Sequence, residues 1–455
     1  MSAECPPMLA LPVEVLEHIF SFLRLNDRKA ASLVCHLWNE LAFSRRFMGN
    51  VRLRLFDYSR QGSYLRKSSR QYRNLITEEL TESITCFWEL YVERLESFES
   101  GQYLYEDQLW DLLKRAPKLR QLSAESVVKT KTLNPEWSNL CFPAMNHLQE
   151  MRILSEFVPV TVVAMLHSLA PQLKSLCLAR EVCTHIIDLQ FPLVEVLELV
   201  GLYYKKQSIA KFLCGFKSLK EIYMKCSVLN SELDAITNTY PNITKLCLTT
   251  TNLNPNAFCF LERLKSLKTL SVLGKVDSRF ILPCKPLKSV KQFTIEELSP
   301  GHLACDMKSL KQLLPNVIDL KITRLQNDAC VLSSLRQNFS HLKRLSLNDN
   351  THHDPESDLL ENFKSLEELT LGKRTPSTYL ISNKCLTRLK LVQFWLTKRM
   401  LRDILEVYPN LKYLELIDCM YDMQDIDYRW IPKFPSALTE KIQIVVTTED
   451  PSINY

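Results

Sequence analysis

A three-position apolar template, apolar-x-x-apolar-x-apolar, returns at nearly regular intervals along this chain of 455 residues. It starts at Leu119, Leu148, Leu173, Val194, Leu219, Ile243, Leu267, Val290, Val317, Leu342, Leu366, Leu386 and Leu411. The 12 intervals run from 20 to 29 residues and average about 24. Chance matches to so short a template would not keep a period, so the period constrains the fold. The last two apolar positions are two apart, the spacing of side chains on one face of a strand. A Pro-containing turn often precedes each copy, as at Pro117, Pro171, Pro241, Pro315 and Pro409. Between copies lie helix-period stretches such as Met400, Leu401, Ile404, Leu405 and Tyr408. The expected unit is strand, loop, helix, Pro turn, stacked many times over.

This wording resembles the leucine-rich repeat, and leucine supplies about one residue in six. The resemblance predicts an α/β fold, a curved solenoid with parallel strands on the concave face and helices on the convex face. Strands stack at ~4.8 Å and helices need ~8–10 Å, which favours that curvature. A weaker copy at Phe87–Val92, and short ones at Val51–Leu55 and Tyr72–Thr77, extend the series toward the N-terminus. Residues 96–115 read as irregular, with one helix around Leu109 to Leu113. Between the inward leucines, alternate positions face the concave space. Read in order, these include Glu89, Tyr91 and Glu93, then Glu150 and Arg152, then Glu221, Tyr223 and Lys225. Asp319, Lys321, Thr323, Arg344, Ser346, Asn348, Arg388, Lys390, Tyr413 and Glu415 follow. The first of these strands reads as acidic, and Arg344, Arg388 and Lys390 make a later stretch basic. Tyr223, Lys225, Lys321, Arg344, Arg388, Lys390, Tyr413 and Glu415 are the candidate contacts to a protein target.

The first fifty residues follow a different rule. Pro12 stands where a helix would begin, and Leu16, Ile19, Phe20 and Leu23 form one apolar stripe at helical spacing. Asn26-Asp27 interrupts the pattern and offers an N-cap to a second helix carrying Ala31, Val34, Cys35 and Trp38. Val15 and Phe22 fall outside the stripe, and some forty residues cannot enclose all of this apolar surface. The run Leu11-Pro12-Val13-Glu14-Val15-Leu16, then Ile19-Phe20, Leu23, Asp27, and Leu33-Val34-Cys35 with Trp38, resembles an F-box. His36 departs from the basic residue usual there. The resemblance implies a three-helix unit that docks on the Skp-type adaptor of cullin-RING ubiquitin ligases. Its adaptor contacts would be Leu11, Pro12, Val15, Leu16, Ile19, Phe20, Leu23, Val34, Cys35 and Trp38.

Other classes find little support. Glycine numbers only 8 in 455, too few for folds built on Gly-rich phosphate loops, and no such loop motif is present. The net charge of +6 is mild and its Lys and Arg are dispersed, which argues against nucleic-acid binding. No 18-residue apolar window suggests a membrane span; Val158 to Ala170 reads as a buried segment. The N-terminus lacks the basic and apolar regions of a secretory leader. The 15 cysteines are odd in number and scattered inside apolar runs, the pattern of reduced thiols in the cytoplasm or nucleus. Cys177, Cys183 and His185 match no zinc spacing, and His352-His353-Asp354 reads as a solvated loop. No catalytic residue, metal ligand or cofactor site is expected.

The expected domains are an F-box at 8–50, a repeat solenoid at 51–440 with clear repeats from about 87 or 119 to 417, and a C-terminal strand and tail at 441–455. The function these imply is that of substrate receptor in an SCF-type ubiquitin ligase, reaching cullin and RING subunits through the adaptor. A leucine-rich-repeat inhibitor or scaffold without a ligase is the alternative.

Overall fold

The computed structural model describes residues 11–49, 51–56, 65–68, 70–78, 90–128, 145–155, 160–201, 208–276, 284–298, 303–325, 334–335, 337–348, 363–372, 383–396, 398–421 and 442–447. These form two compact units. The first holds the chain to Gly201 together with Gly215–Ser218, and the second holds Leu202–Cys214 and everything from Leu219 on.

The first unit opens with helices. Pro12, with φ fixed at −55°, caps α1, Val13–Ser21. Helix α2, Leu25–Ala31, begins earlier than the Asn26-Asp27 break suggested. Arg24 is its N-cap, and Asp27 lies in the first turn, where a carboxylate favours the helix dipole. The second apolar stripe does not belong to one helix either. Ala31 ends α2, and Cys35 caps a separate α3, His36–Ala42, by accepting the Trp38 N–H at 3.5 Å. Local capping by Cys35 therefore overrides a spacing that is continuous in sequence. A short α4, Arg45–Met48, leads into the first strand.

Seven strands follow in this unit: β1 Arg52–Leu55, β2 Asn74–Thr77, β3 Ser97–Tyr105, β4 Gln121–Val128, β5 Glu150–Ile153, β6 Ser175–Ala179 and β7 Val196–Val200. Each pairs in parallel with the next. The second unit contains β8 Glu221–Ser227, β9 Lys245–Thr249, β10 Thr269–Val276, β11 Gln292–Leu298, β12 Asp319–Leu325, β13 Arg344–Leu347, β14 Glu368–Leu371 and β15 Arg388–Val392. A two-residue β16, Trp395–Leu396, then precedes β17, Tyr413–Ile417, β18, Met420–Tyr421, and β19, Gln443–Thr447. From β8 to β15, then β17 and β19, pairing is again parallel and sequential. Strands β16 and β18 pair separately. The fold is α/β: a helical N-terminal unit and then stacked parallel strands of leucine-rich-repeat type.

Every one of the 13 template starts is followed, two residues on, by a strand. The reason is register. Leu345, Leu369, Leu389 and Leu414 are direct partners across four strands, and each is essentially inaccessible. A one-residue slip would turn this whole row into water. Connections include helices Glu106–Arg115, Val160–Leu169, Asn230–Thr239 and Lys398–Val407. The apolar stretch near 158–170 is thus a short packed helix, and no described helix is long and apolar enough to cross a membrane. Adjacent repeats are tied by side chains reaching backbone. The Tyr240 hydroxyl donates to Leu213 O, and Asn316 Nδ2 donates to Lys288 O at 2.8 Å.

The copy at Phe87–Val92 is not a strand where described. Leu90 and Tyr91 are helical, Val92–Arg94 is a 3-10 turn, and Phe87 to Glu89 lie outside the described residues. The strand comes later, at β3, inside the region that read as irregular. It was hidden because one of its core positions is Ser100, fully buried, with its hydroxyl on Gln102 O at 3.1 Å. Thr77 holds the matching place in β2. The acidic row Glu89, Tyr91, Glu93 therefore does not exist as a strand face; Tyr91 is buried, with its hydroxyl on Leu65 O at 3.1 Å.

Candidate protein-docking surfaces

Two surfaces stand out: the helices at 13–48 and the strand face turned away from the core of the second unit.

In the helical unit Leu16, Phe20, Leu41 and Ala42 form the core, with Leu11, Ile19, Leu23, Ala31, Leu37, Trp38, Phe43 and Phe47 packed around them. Trp38 meets Phe20 edge-on at 5.4 Å between ring centres. The apolar stripe thus faces inward: Leu16 and Phe20 are closed to any partner, and Leu11, Ile19, Leu23 and Trp38 offer only edges. Exposed instead are Val13 (43%), Val15 (41%), Phe22 (74%), Leu33 (86%) and Val34 (61%), with Pro12 at the helix entry. Of 12 large apolar residues exposed among the described residues, these five fall within 13–34. Side chains of this size stabilise an interface by roughly 1.5–3 kcal/mol each when fully buried. The unit is also anchored to its own repeats. Asn74 Nδ2 donates to Gly49 O at 2.6 Å, and the Arg70 guanidinium stands 3.6 Å over the Phe43 ring. Phe22 and Leu33 were missed as surface candidates. Their signal was available, since each is a large apolar residue off the helical stripe.

On the strand face, one register row runs Glu221, Lys245, Thr269, Gln292, Asp319, Arg344, Glu368, Arg388, Tyr413, Gln443. Its members satisfy one another. Lys245 Nζ lies 2.8 Å from Glu221, and the Tyr223 hydroxyl donates to the same carboxylate at 2.8 Å. Burial alone would raise the Glu221 pKa, but Lys245 and Tyr223 together hold it below the usual range. Thr269 Oγ1 meets Gln292 Oε1 at 2.9 Å, and Gln292 Nε2 reaches Asp319 at 3.4 Å. Arg344 donates to Asp319 at 2.9 Å, which raises the guanidinium pKa further. Arg388 donates to Glu368 at 3.1 Å and lies 5.0 Å over the Tyr413 ring. Two residues on, Lys390 pairs with Glu415 at 3.5 Å. The basic stretch expected at Arg344, Arg388 and Lys390 is therefore a neutral ladder. Each cation faces an acid one repeat away, a partner set by register and invisible to a reading strand by strand. Lys321 stands in the second row, exposed, between Thr294 and Ser346. Lys225 is exposed on β8.

The metal-like cluster does not assemble. Cys177 lies on β6, where Arg152 donates to its sulfur at 3.1 Å, while Cys183 is buried at a helix end and His185 is exposed. Among the described residues no group of three His, Cys, Asp or Glu could hold a metal ion. His352, His353 and Asp354 lie outside them.

Three solved structures resemble the chain. One is a TLR13–ssRNA13 complex, with TM-score 0.45 and 15% identity over 84% of this chain and 57% of that one. Another is an internalin, InlF, from Listeria monocytogenes, with TM-score 0.33 and 15% identity over 67% of this chain and 81% of that one. The third is the Rad7–Elc1 complex in yeast, with TM-score 0.33 and 13% identity over 95% and 92%. This chain thus spans little more than half the length of the TLR13 chain. No curated protein matches it. A family model described as F-box-like matches residues 8–54, so the chain carries an F-box-like domain, its helical unit, ahead of a stack of leucine-rich repeats.

Proposed function

We propose that the protein is the substrate-recognition subunit of an SCF-type E3 ubiquitin ligase, working in the cytoplasm or nucleus. The F-box-like unit, residues 8–50, docks on a Skp-type adaptor and through it joins cullin and RING subunits. The repeat region holds a protein target near the ubiquitin-loaded enzyme. Ubiquitin transfer is then a matter of proximity supplied by other subunits, and no side chain of this chain takes part in bond making.

One observation carries the reading: the concentration of exposed Val13, Val15, Phe22, Leu33 and Val34 on the unit that the F-box-like model covers. Large apolar side chains left exposed together on one small unit are the kind of surface that a partner covers. Leu11 and Pro12 border it, and Tyr223, Lys225, Lys321, Arg344, Arg388, Lys390, Tyr413 and Glu415 are the proposed target contacts.

The test is binding of purified full-length protein to a Skp-type adaptor by calorimetry. Leu11→Ala with Pro12→Ala trims two apolar side chains at the border of that surface and should weaken binding at least about tenfold, or ~1.4 kcal/mol. Circular dichroism should stay that of the parent. Absence of adaptor binding by the parent protein would transfer the reading to a ligase-independent inhibitor or scaffold.

A further inference from the structure

The second unit holds a pair of thiols that neither docking surface uses. Cys259 lies in the 3-10 segment Pro255–Arg263 between β9 and β10, and Cys284 lies in the next connection, before β11. Their sulfurs are 3.3 Å apart across 25 residues of chain, and both are partly buried. A second contact holds the same two segments together. The Lys285 N–H donates to Glu262 Oε1 at 2.7 Å, and its ammonium lies 3.6 Å from the other oxygen of that carboxylate. Cys259 and Glu262 share one turn, and Cys284 and Lys285 are adjacent, so two independent links set the approach of the sulfurs.

We propose that Cys259 and Cys284 form a redox-sensitive pair, oxidised by peroxides to a disulfide that staples consecutive repeats. The chemistry needs only the thiols and the peroxide. The Cys259 thiolate attacks a peroxide oxygen, breaking the O–O bond, and becomes a sulfenic acid as hydroxide leaves. The Cys284 sulfur then attacks that sulfur, forming S–S as the hydroxyl departs and the Cys284 proton is released, so the pair and the leaving groups yield water. Hydrogen peroxide is the two-electron oxidant, and each cysteine loses one hydrogen. The order of roles follows from surroundings. Burial first, then the bond and charge of Cys259, then Glu262, push the Cys284 thiol well above its ordinary pKa, which suits Cys284 to the second, resolving step. The sulfurs, 3.3 Å apart, sit about 1.3 Å beyond bonding distance, the approach that bond formation requires.

The experiment is limited peroxide oxidation of the full chain, alkylation, digestion without reductant, and mass spectrometry. A cross-linked peptide pair containing Cys259 and Cys284 should appear, lighter by about 2 Da than the two reduced peptides. It should vanish with dithiothreitol. The exposed Cys214 and Cys385 serve as internal controls for unassisted thiols and should oxidise more slowly. Glu262→Gln keeps an acceptor for the Lys285 N–H but removes the charge, and it should speed cross-linking. Recovery of Cys259 and Cys284 both alkylated while Cys214 and Cys385 are already oxidised would overturn the proposal. So would their oxidation separately to sulfinic acids. Because the decisive readout uses the unmutated protein, a misfolded variant cannot obscure it.

Discussion

The helical unit and the ladder on the second repeat unit solve opposite problems. In the helices a small core of Leu16, Phe20, Leu41 and Ala42 is complete, yet Val13, Val15, Phe22, Leu33 and Val34 remain in water. On the strands nearly every charge along the register row meets its complement one repeat away. Apolar surface cannot be satisfied by a neighbour of the same small unit once its interior is full, so it stays in water. Charges on stacked strands are presented ~4.8 Å apart, close enough to neutralise each other without any partner. Exposure therefore points to docking in the first region, and charge alone does not do so in the second.

Within the helices, the sharpest separation of inside from outside is Phe20→Ala. Removing a fully buried ring should cost about 3–5 kcal/mol. Residues 11–48 should become protease-sensitive while the repeats keep their melting transition. A single cooperative loss of both would show that the helical unit and repeats fold as one. Leu33→Asp with Val34→Asp probes the outside. These positions are exposed, so stability should change by under ~0.5 kcal/mol each, whereas adaptor binding should fall by ~2–4 kcal/mol per anchor. Unchanged affinity in calorimetry would leave the exposed side chains without a docking role.

The ladder should yield less. Reversing Arg344, Arg388 and Lys390 to Glu sets each against its former partner, and exposed pairs contribute about 0.2–1 kcal/mol. A total loss of ~1–3 kcal/mol is expected in urea denaturation, partly recovered when Asp319, Glu368 and Glu415 are changed to Lys in the same chain. No recovery would mean that the pairs do not select register. Two tyrosines give a finer contrast. Tyr240→Phe removes a hydrogen bond to the preceding repeat and should cost ~1 kcal/mol. The Tyr408 hydroxyl is buried without a hydrogen-bond partner among the described residues, so Tyr408→Phe should be neutral or slightly stabilising. The smallest effect is in acid. Burial, then Lys311 at 3.1–3.2 Å, lower the His341 pKa below its ordinary 6.5. The unfolded chain then takes up the proton first, so stability from this site is present above that pH and fades below it. His341→Gln should flatten the pH dependence of melting as the pH falls through 6.5.

The repeats were legible because leucine at fixed spacing has one physical use on a strand, as at Leu345 and Leu347, where burial decides the face. Strand β3 escaped because Ser100 is buried through a hydrogen bond and not through apolarity. The position of a repeat can thus be lost to one polar residue although its neighbours keep the register. Left-handed turns were equally obscure. With glycine scarce, Gln393 and Asp418 take positive φ at 55° and 47° after β15 and β17; Asp tolerates that region, but Gln gives no sign of such a turn.

Periodicity and motif settle that each of the 13 template copies is a strand, that helices lie between many of them, and that a forty-residue unit carries more apolar surface than it can hide. These are local properties of spacing and volume. They could not say which side of α1 closes on itself, because Leu16 and Val15 are equally apolar and only the approach of α3 buries one of them. Nor could they neutralise Arg344, since its partner Asp319 lies 25 residues away and becomes a neighbour only when parallel strands align. Contacts of that kind depend on register across repeats, a relation between segments that no single segment contains.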